Sequence, residues 1–482
     1  MPGRLSMELS AVAKSAPNTH EHFEHDVAVI GAGLAGSEAA LVLARLGIAV
    51  ALYEMRPGRM TPAHRGGLPA ELVCSNSFKS LKLPGAHALL KAELGLLGSP
   101  LLHAARGCAV AAGSALAVDR ERFSRAVLHE LDQAPSVRLV RREVTSPPDS
   151  SVPTILATGP LTSDVLARWV ADEFSVESLS FYDAIAPIVD GSGVNLHTAF
   201  FGTRWEDGTD DYLNCPFDKE QFAAFRNALL EADTVERRPF EQQRYFEACL
   251  PLEVLARRGE KALAFGPLKP VGLRNPHTGA RPYAVCQLRR ETALGDSFNL
   301  VGCQTRMRQS AQEKVFRMIP GLEKVDFLRY GSIHRNTYIN SPLLLEHDLS
   351  FRRRPRLWCA GQLCGNEGYT ESIATGHLAA LSVWSRLKRR PFERPPATTA
   401  LGALLNHVVE SDPRRFVPGN INFGLLPPPG AGRGRIGKAE KKRLVCERAI
   451  EEARQWRARL GEFASRQSKW GELEPCNPKE VI

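Results

Sequence analysis

The stretch Asp26-Val-Ala-Val-Ile-Gly-Ala-Gly-Leu-Ala-Gly36 decides the fold class. Val27 to Ile30 is a short apolar run with the character of a buried parallel strand, and Gly31 stops it abruptly. From Leu34 to Leu46 the apolar residues recur at helical spacing, and Gly47 stands where a C-cap glycine belongs. A second apolar run, Ile48 to Tyr53, ends on Glu54, 18 residues after Gly36. Strand, glycine turn, helix, strand and terminal acid together make a βαβ dinucleotide-binding opening. Gly31 permits the tight turn, Gly33 lets the backbone approach a pyrophosphate, and Gly36 allows close helix–strand packing. Ala32, Leu34 and Ala35 complete the helix N-terminus, whose unpaired N–H groups suit phosphate oxygens. Glu54 is placed to accept from ribose hydroxyls and to disfavour a 2′-phosphate.

Outward from this opening, residues 56 to 115 read as loops around a site with one helical stretch near Ala86 to Leu97, and Asp119 to Leu131 reads as helix. Ile155-Leu-Ala-Thr-Gly159 reads as a strand turning sharply at Gly159. Between about Phe200 and Leu349 aromatic residues and arginines become frequent, and strand-like pieces alternate with short helices. After Arg356 the α/β texture returns in Leu357-Trp-Cys-Ala-Gly-Gln-Leu-Cys-Gly-Asn-Glu-Gly-Tyr369 and an alanine-rich helix. That late segment resembles the closing motif of two-part FAD proteins, which favours FAD over NAD and adds Gly361 and Tyr369 to Gly159 as cofactor contacts. The expected fold is α/β, a Rossmann-like two-part FAD-binding domain with an inserted α+β domain. The expected layout is a disordered tail over 1–25, the first part of the FAD-binding domain over 26–200, the insert over 201–349 and the last part over 350–426. A linker and basic helical tail fill 427–482.

The 482 residues, 43% hydrophobic and 24% charged, exclude a small stapled module and a wholly disordered chain. Sixty-two basic against 53 acidic residues leave +9, a bias toward a polyanionic partner. The ten cysteines form neither a CxxC pair nor a cluster at zinc spacing, so no metal is expected and a reducing, cytoplasmic setting fits best. No apolar run approaches the roughly 18 to 20 residues a membrane helix needs.

Several longer motifs narrow the reading: ELVCSNSFKS (71–80), FEACLPLEVLARRG (246–259), GPLKPVGL (266–273), VFRMIPGL (315–322), RYGSIHRNTYINSP (329–342), GYTES (368–372) and NINFGLLP (420–427). Together with the opening motif they resemble the folate- and FAD-dependent tRNA (uracil-5-)-methyltransferase family, TrmFO, from about Asp26 to Pro427. The resemblance implies methylation of carbon 5 of the T-loop uridine in tRNA. The carbon comes from 5,10-methylenetetrahydrofolate, and FADH2 regenerated by NAD(P)H is the reductant. Carbon 5 of uracil is a poor nucleophile until something adds at carbon 6, and a thiolate suits that reversible addition. Cys249, just before a helical run Leu252 to Arg258 with Pro251 at its start, is read as that nucleophile. Cys74, in a polar loop close to Lys79 and Lys82, is the second catalytic cysteine that the resemblance implies.

Tyr369 matches the family's GY motif and is expected beside the isoalloxazine ring. Asn336 and Asn340 are candidates to orient folate or uracil, and Lys269 and Arg274 to contact phosphate or the folate glutamate. Arg281, Arg289, Arg290, Arg306, Arg308, Arg317, Arg329 and Arg335, interleaved with Tyr283, Phe316, Tyr330 and Tyr338, form a diffuse RNA-binding expectation. The chain departs from the family pattern at Arg306-Met-Arg-Gln-Ser310, where a histidine or lysine followed by an aromatic is usual. The same chemistry on ribosomal RNA, or a flavin oxidoreductase without RNA, are the alternatives.

Overall fold

The computed structural model describes residues 24–148, 150–176, 179–204, 210–235, 250–429 and 437–461. The first strand, Val27–Ile30, is fully buried and lies at the middle of a six-stranded sheet among the described residues. It pairs in parallel with Val50–Glu54 on one side and Thr154–Leu156 on the other. Val137–Arg141 extends the sheet beyond Val50–Glu54, and Arg354–Cys359 extends it beyond Thr154–Leu156, both in parallel. Ser350–Phe351 closes the edge antiparallel. Because Arg354–Cys359 comes from the far end of the chain, the late segment completes the sheet begun at residue 27.

The first helix, Leu34–Arg45, starts at Gly33 and ends at Leu46, with Gly47 at φ 79° just beyond. Gly36 is obligatory there, since a Cβ would lie 1.8 Å from the Gly31 carbonyl oxygen. The closing helix, Tyr369–Leu387, packs across it and is buried over most of its length. The loop-rich reading of 56–115 misses a second helix, Pro100–Gly107, capped by Ser99, and a three-stranded sheet in which Ser77–Ser80 and Ala109–Val110 flank Ala115–Val118. These strands are two to four residues long, too short for period-2 alternation to register.

A second sheet of six described strands is antiparallel throughout and carries its own core, including Leu213, Phe217, Phe225, Leu288 and Phe316. It already contains Ile188–Asp190, so the antiparallel layer begins before residue 201, where the composition changes. That three-residue strand is too brief to mark the boundary in sequence. The antiparallel pair Leu179–Ile185 and Ser332–Tyr338 carries the chain into and out of this layer.

The end of the described chain adds most to the expectation. Lys438–Arg459 is the basic helix expected there, and it is docked on the body: Val445, Cys446, Ala449 and Trp456 belong to the main core. The Trp456 indole N–H donates to the Glu393 carbonyl at 3.1 Å, Arg459 pairs with Glu393 at 2.9 Å, and Thr398 bonds Glu452. Its high charge masks a narrow apolar stripe. Replacing fully buried Trp456 by alanine is expected to cost about 3–5 kcal/mol in denaturant unfolding. A loss below about 0.5 kcal/mol would mean the helix is not part of the cooperative core.

Candidate active site

A cleft opens at the carboxyl ends of the parallel strands, where ligands bind in open α/β sheets. Its walls come from Gly31, Gly33, Leu34 and Ala35, from Glu54, from Ala157-Thr158-Gly159, and from Gly361, Tyr369 and Ser372. Both the first and the closing helix begin at a glycine, Gly33 and Gly368, with no side-chain cap, and both open onto this cleft. The first helix therefore presents its first N–H groups to a phosphate, and the closing helix does so beside its own Glu371 carboxylate, which folds back over that N-terminus so that a Cβ at Gly368 would lie 2.2 Å from its Oε2. Gly31 adopts φ +102°, a left-handed conformation, and a Cβ at Gly33 would meet nothing within 4 Å. The turn is therefore bare backbone toward the ligand, and the residues fit FAD.

Ala32 and Gly36 stand behind the wall rather than in it: the Ala32 N–H donates to Glu54 at 3.1 Å, and Gly36 seats the helix on the strand. Glu54 is not a lone acid. Its carboxylate accepts from the Arg56 backbone N–H at 3.0 Å and from the Arg56 guanidinium at 2.9 Å, and Arg56 also pairs with Glu71 at 2.9 Å. Two carboxylates thus flank one guanidinium, and Arg141 donates to the Arg56 carbonyl at 2.9 Å beside them. A carboxylate has about four acceptor positions, and here the Ala32 N–H, the Arg56 N–H and two Arg56 guanidinium nitrogens take all four, so a ribose hydroxyl would replace the longest of them, the Arg56 contact at 3.3 Å. Arg56, and Glu71 beyond its place in the 71–80 motif, carried no sequence signal for these roles, which arise only when the loop folds back on Glu54.

Cys74 lies half-buried in the loop ahead of Ser77–Ser80. The Tyr369 hydroxyl accepts from the backbone N–H of Cys74 at 3.0 Å and of Ser75 at 3.2 Å and donates to the Ser75 carbonyl at 2.8 Å. Burial, with Cys74 alongside, pushes the Tyr369 phenol well above its ordinary pKa, so it stays protonated and keeps that donor. The first residue of the closing helix thus ties the Cys74 loop to the cofactor cleft, a role added to the ring contact expected for Tyr369.

Cys249 and the Arg335 side chain lie outside the described residues. Leu252–Arg258 is helical with Pro251 at its N-cap. Buried Glu253 in its first turn accepts from the Arg306 N–H at 2.9 Å and the Thr305 hydroxyl at 3.0 Å. The departing residue Arg306 is therefore a support for this helix.

Several diffuse expectations are corrected. Arg289, Arg306 and Arg329 are buried, and Phe316 and Tyr338 are core residues, so none of these five offers a free surface to RNA. Apart from these five, Arg274 stays exposed while donating to the Gly279 carbonyl at 3.2 Å, and Asn340 donates to the Pro413 carbonyl at 2.9 Å. Composition alone could not separate buried from exposed arginines in this layer.

Among the described residues no group of three or more His, Cys, Asp and Glu could hold a metal, and no helix is long and apolar enough to cross a membrane.

Two helix N-termini converging on one cleft of a split parallel sheet define a two-part FAD-binding protein. A family model described as glucose inhibited division protein A matches residues 26–391. The chain is 48% identical over 436 residues to the methylenetetrahydrofolate-tRNA-(uracil-5-)-methyltransferase TrmFO of Desulfitobacterium hafniense (strain Y51), covering 90% of this chain and 99% of that one. The protein of the same name from Koribacter versatilis (strain Ellin345) is 47% identical over 434 residues, covering 90% and 98%. The crystal structure of Aquifex aeolicus GidA, form II, shares the fold with a TM-score of 0.66 at 16% identity, covering 93% of this chain and 75% of that one. The chain belongs to the glucose inhibited division protein A family and, within it, to the TrmFO family.

His64, on the cleft wall and bonded to Thr61 at 2.6 Å, was not singled out by sequence. Burial, reinforced by Arg56, Arg329 and His334, pushes its pKa down to about 3. The unfolded chain takes up this proton below about pH 6.5 and the folded chain does not. His64 therefore contributes stability above that pH that is lost as pH falls toward 3, at about 1.4 kcal/mol per pH unit. His64→Asn is expected to flatten the fall of the urea midpoint between neutral pH and about pH 5. Parallel slopes in variant and parent would contradict a buried neutral histidine.

Proposed function

We propose that this chain methylates carbon 5 of the T-loop uridine of tRNA, with 5,10-methylenetetrahydrofolate as carbon donor and FAD as redox cofactor. The observation that carries the reading is the near full-length identity to TrmFO proteins, together with a cleft whose two uncapped helix N-termini and acid-lined ribose end suit FAD. Bound FAD, reduced by NAD(P)H, supplies the hydride equivalent that turns a methylene carbon into a methyl group.

The chain's own residues supply the rest. The Cys249 thiolate adds to carbon 6 of the uracil, making carbon 5 nucleophilic; once carbon 5 carries the new carbon it loses its proton, and the thiolate leaves to restore the double bond. Cys74 is the second catalytic thiol, on a loop that Tyr369 ties to the cleft wall, and it is the group available to take up the carbon 5 proton. Overall, uridine, methylenetetrahydrofolate and reduced flavin give 5-methyluridine, tetrahydrofolate and oxidised flavin. Charge supports the RNA partner: the net +9 favours a polyanion, and exposed Arg281 and Arg308 remain available to phosphates. The free cysteines support work in the cytoplasm.

Nucleoside mass spectrometry on unmodified tRNA with FAD and NAD(P)H, with and without methylenetetrahydrofolate, tests this reading. Folate-dependent 5-methyluridine in the T-loop is expected, and Cys249→Ala is expected to reduce it to background while bound flavin remains reducible. Product on ribosomal RNA but not tRNA would overturn the substrate, and full activity of Cys249→Ala would overturn the mechanism.

A further inference from the structure

The loop that carries Cys74 is held from two directions. From the cofactor side Tyr369 takes the Cys74 N–H at 3.0 Å. From the opposite side Arg120, the first residue of the helix Arg120–Gln133, donates one terminal nitrogen to the Leu72 carbonyl and the other to the Cys74 carbonyl at 3.2 Å. Both polar groups of the Cys74 peptide are thus fixed by side chains far away in sequence.

Arg120 is itself held by the antiparallel layer. Glu291, 5% exposed, accepts from the Arg120 Nε and, at 3.1 Å, from a terminal nitrogen. Burial works against the Arg120 charge, but contact with Glu291 outweighs it and holds the guanidinium above its ordinary pKa. The two preceding residues grip the same loop: Arg289 donates to the Asn76 side chain at 2.6 Å, and the Arg290 carbonyl accepts from it at 2.9 Å. Three consecutive residues of the antiparallel layer therefore hold residues 72 to 76, one of them through Arg120. None of Arg120, Arg289, Arg290 and Glu291 lines the cofactor cleft.

We infer that Arg120 and Glu291 are positioning residues for the methyl transfer: Glu291 orients the Arg120 fork, and the fork sets the Cys74 sulfur against the cofactor cleft. The antiparallel layer thereby controls the geometry of a thiol on the parallel layer. This rests on the reading of Cys74 as a reacting thiol. A planar guanidinium is needed because it must meet a carboxylate and two carbonyls at once, which a single ammonium on a flexible stem does not do in fixed geometry.

Two variants of the full FAD-loaded chain test it. Arg120→Lys keeps the charge opposite Glu291 but loses the fork, and Glu291→Gln keeps the shape but loses the charge; the second carries the test should the first fail to fold. In each, kcat for RNA methylation is expected to fall on the order of 100-fold, with the RNA KM within about twofold, bound FAD retained and Tm within a few degrees. Alkylation of Cys74 by iodoacetamide, followed by peptide mass spectrometry without RNA or folate, is expected to speed up several-fold as the loop is released. Unchanged alkylation and unchanged kcat in both variants would overturn the inference. So would a loss of kcat matched by equal losses of FAD and folded protein, which marks a purely structural pair. The alkylation readout is independent of RNA, so failure of the parent to methylate tRNA would strike the proposed reaction and leave this test standing.

Discussion

The close crossing of the first and closing helices is the constraint on which the rest of the structure depends. Gly376 lets them touch: a Cβ there would lie 2.3 Å from the Ala35 carbonyl oxygen. Glu38 and His377, both fully buried, join the helices at 2.7 Å, and the other Glu38 oxygen accepts the Leu101 N–H at 3.1 Å. Breaking one partner of such a pair leaves an uncompensated buried polar group, typically costing several kcal/mol. This contact, made by residues 339 positions apart, brings the two uncapped N-termini over a single cleft. A helix N-terminus carries about half a positive charge; at the first helix the first turn is free of acidic residues, and at the closing helix the charge is offset by Glu371 in the first turn.

From that crossing the geometry runs outward to the chemistry. Tyr369 is the first residue of the closing helix, so the placement of the helix also places the hydroxyl that holds the Cys74 loop. At the other end of the cleft the Glu54–Arg56–Glu71 cluster places an acid at the ribose end without leaving an isolated buried charge. One rigid helix pair thus fixes the cofactor end and the thiol end together. The antiparallel layer is tied to the same loop through residues 289 to 291.

What the sequence made legible follows from the range of each signal. The βαβ opening could be read because strand, glycine turn, helix and acid lie within 29 residues and obey local steric rules. The split parallel sheet could be read from one late glycine motif, because few other arrangements use it. Strands of two to four residues, such as Ile188–Asp190 and Ser77–Ser80, carry no periodicity and were invisible. The docked helix Lys438–Arg459 was read as helix but not as core, because its buried stripe is diluted by lysine, arginine and glutamate. Arg120 and Glu291 had no motif at all; their partnership spans 171 residues and exists only in the folded chain. The same holds for Arg289 and Arg329, which composition placed on an RNA surface and packing places inside.

The most direct test of this account is a crystal structure of the FAD-loaded protein. The expected result is a pyrophosphate within hydrogen-bond distance of backbone N–H groups at the starts of both the Leu34–Arg45 and Tyr369–Leu387 helices, with the ribose hydroxyls on Glu54 and the Cys74 sulfur at the flavin end. A pyrophosphate engaged by only one helix, or a flavin ring remote from Cys74, would contradict it.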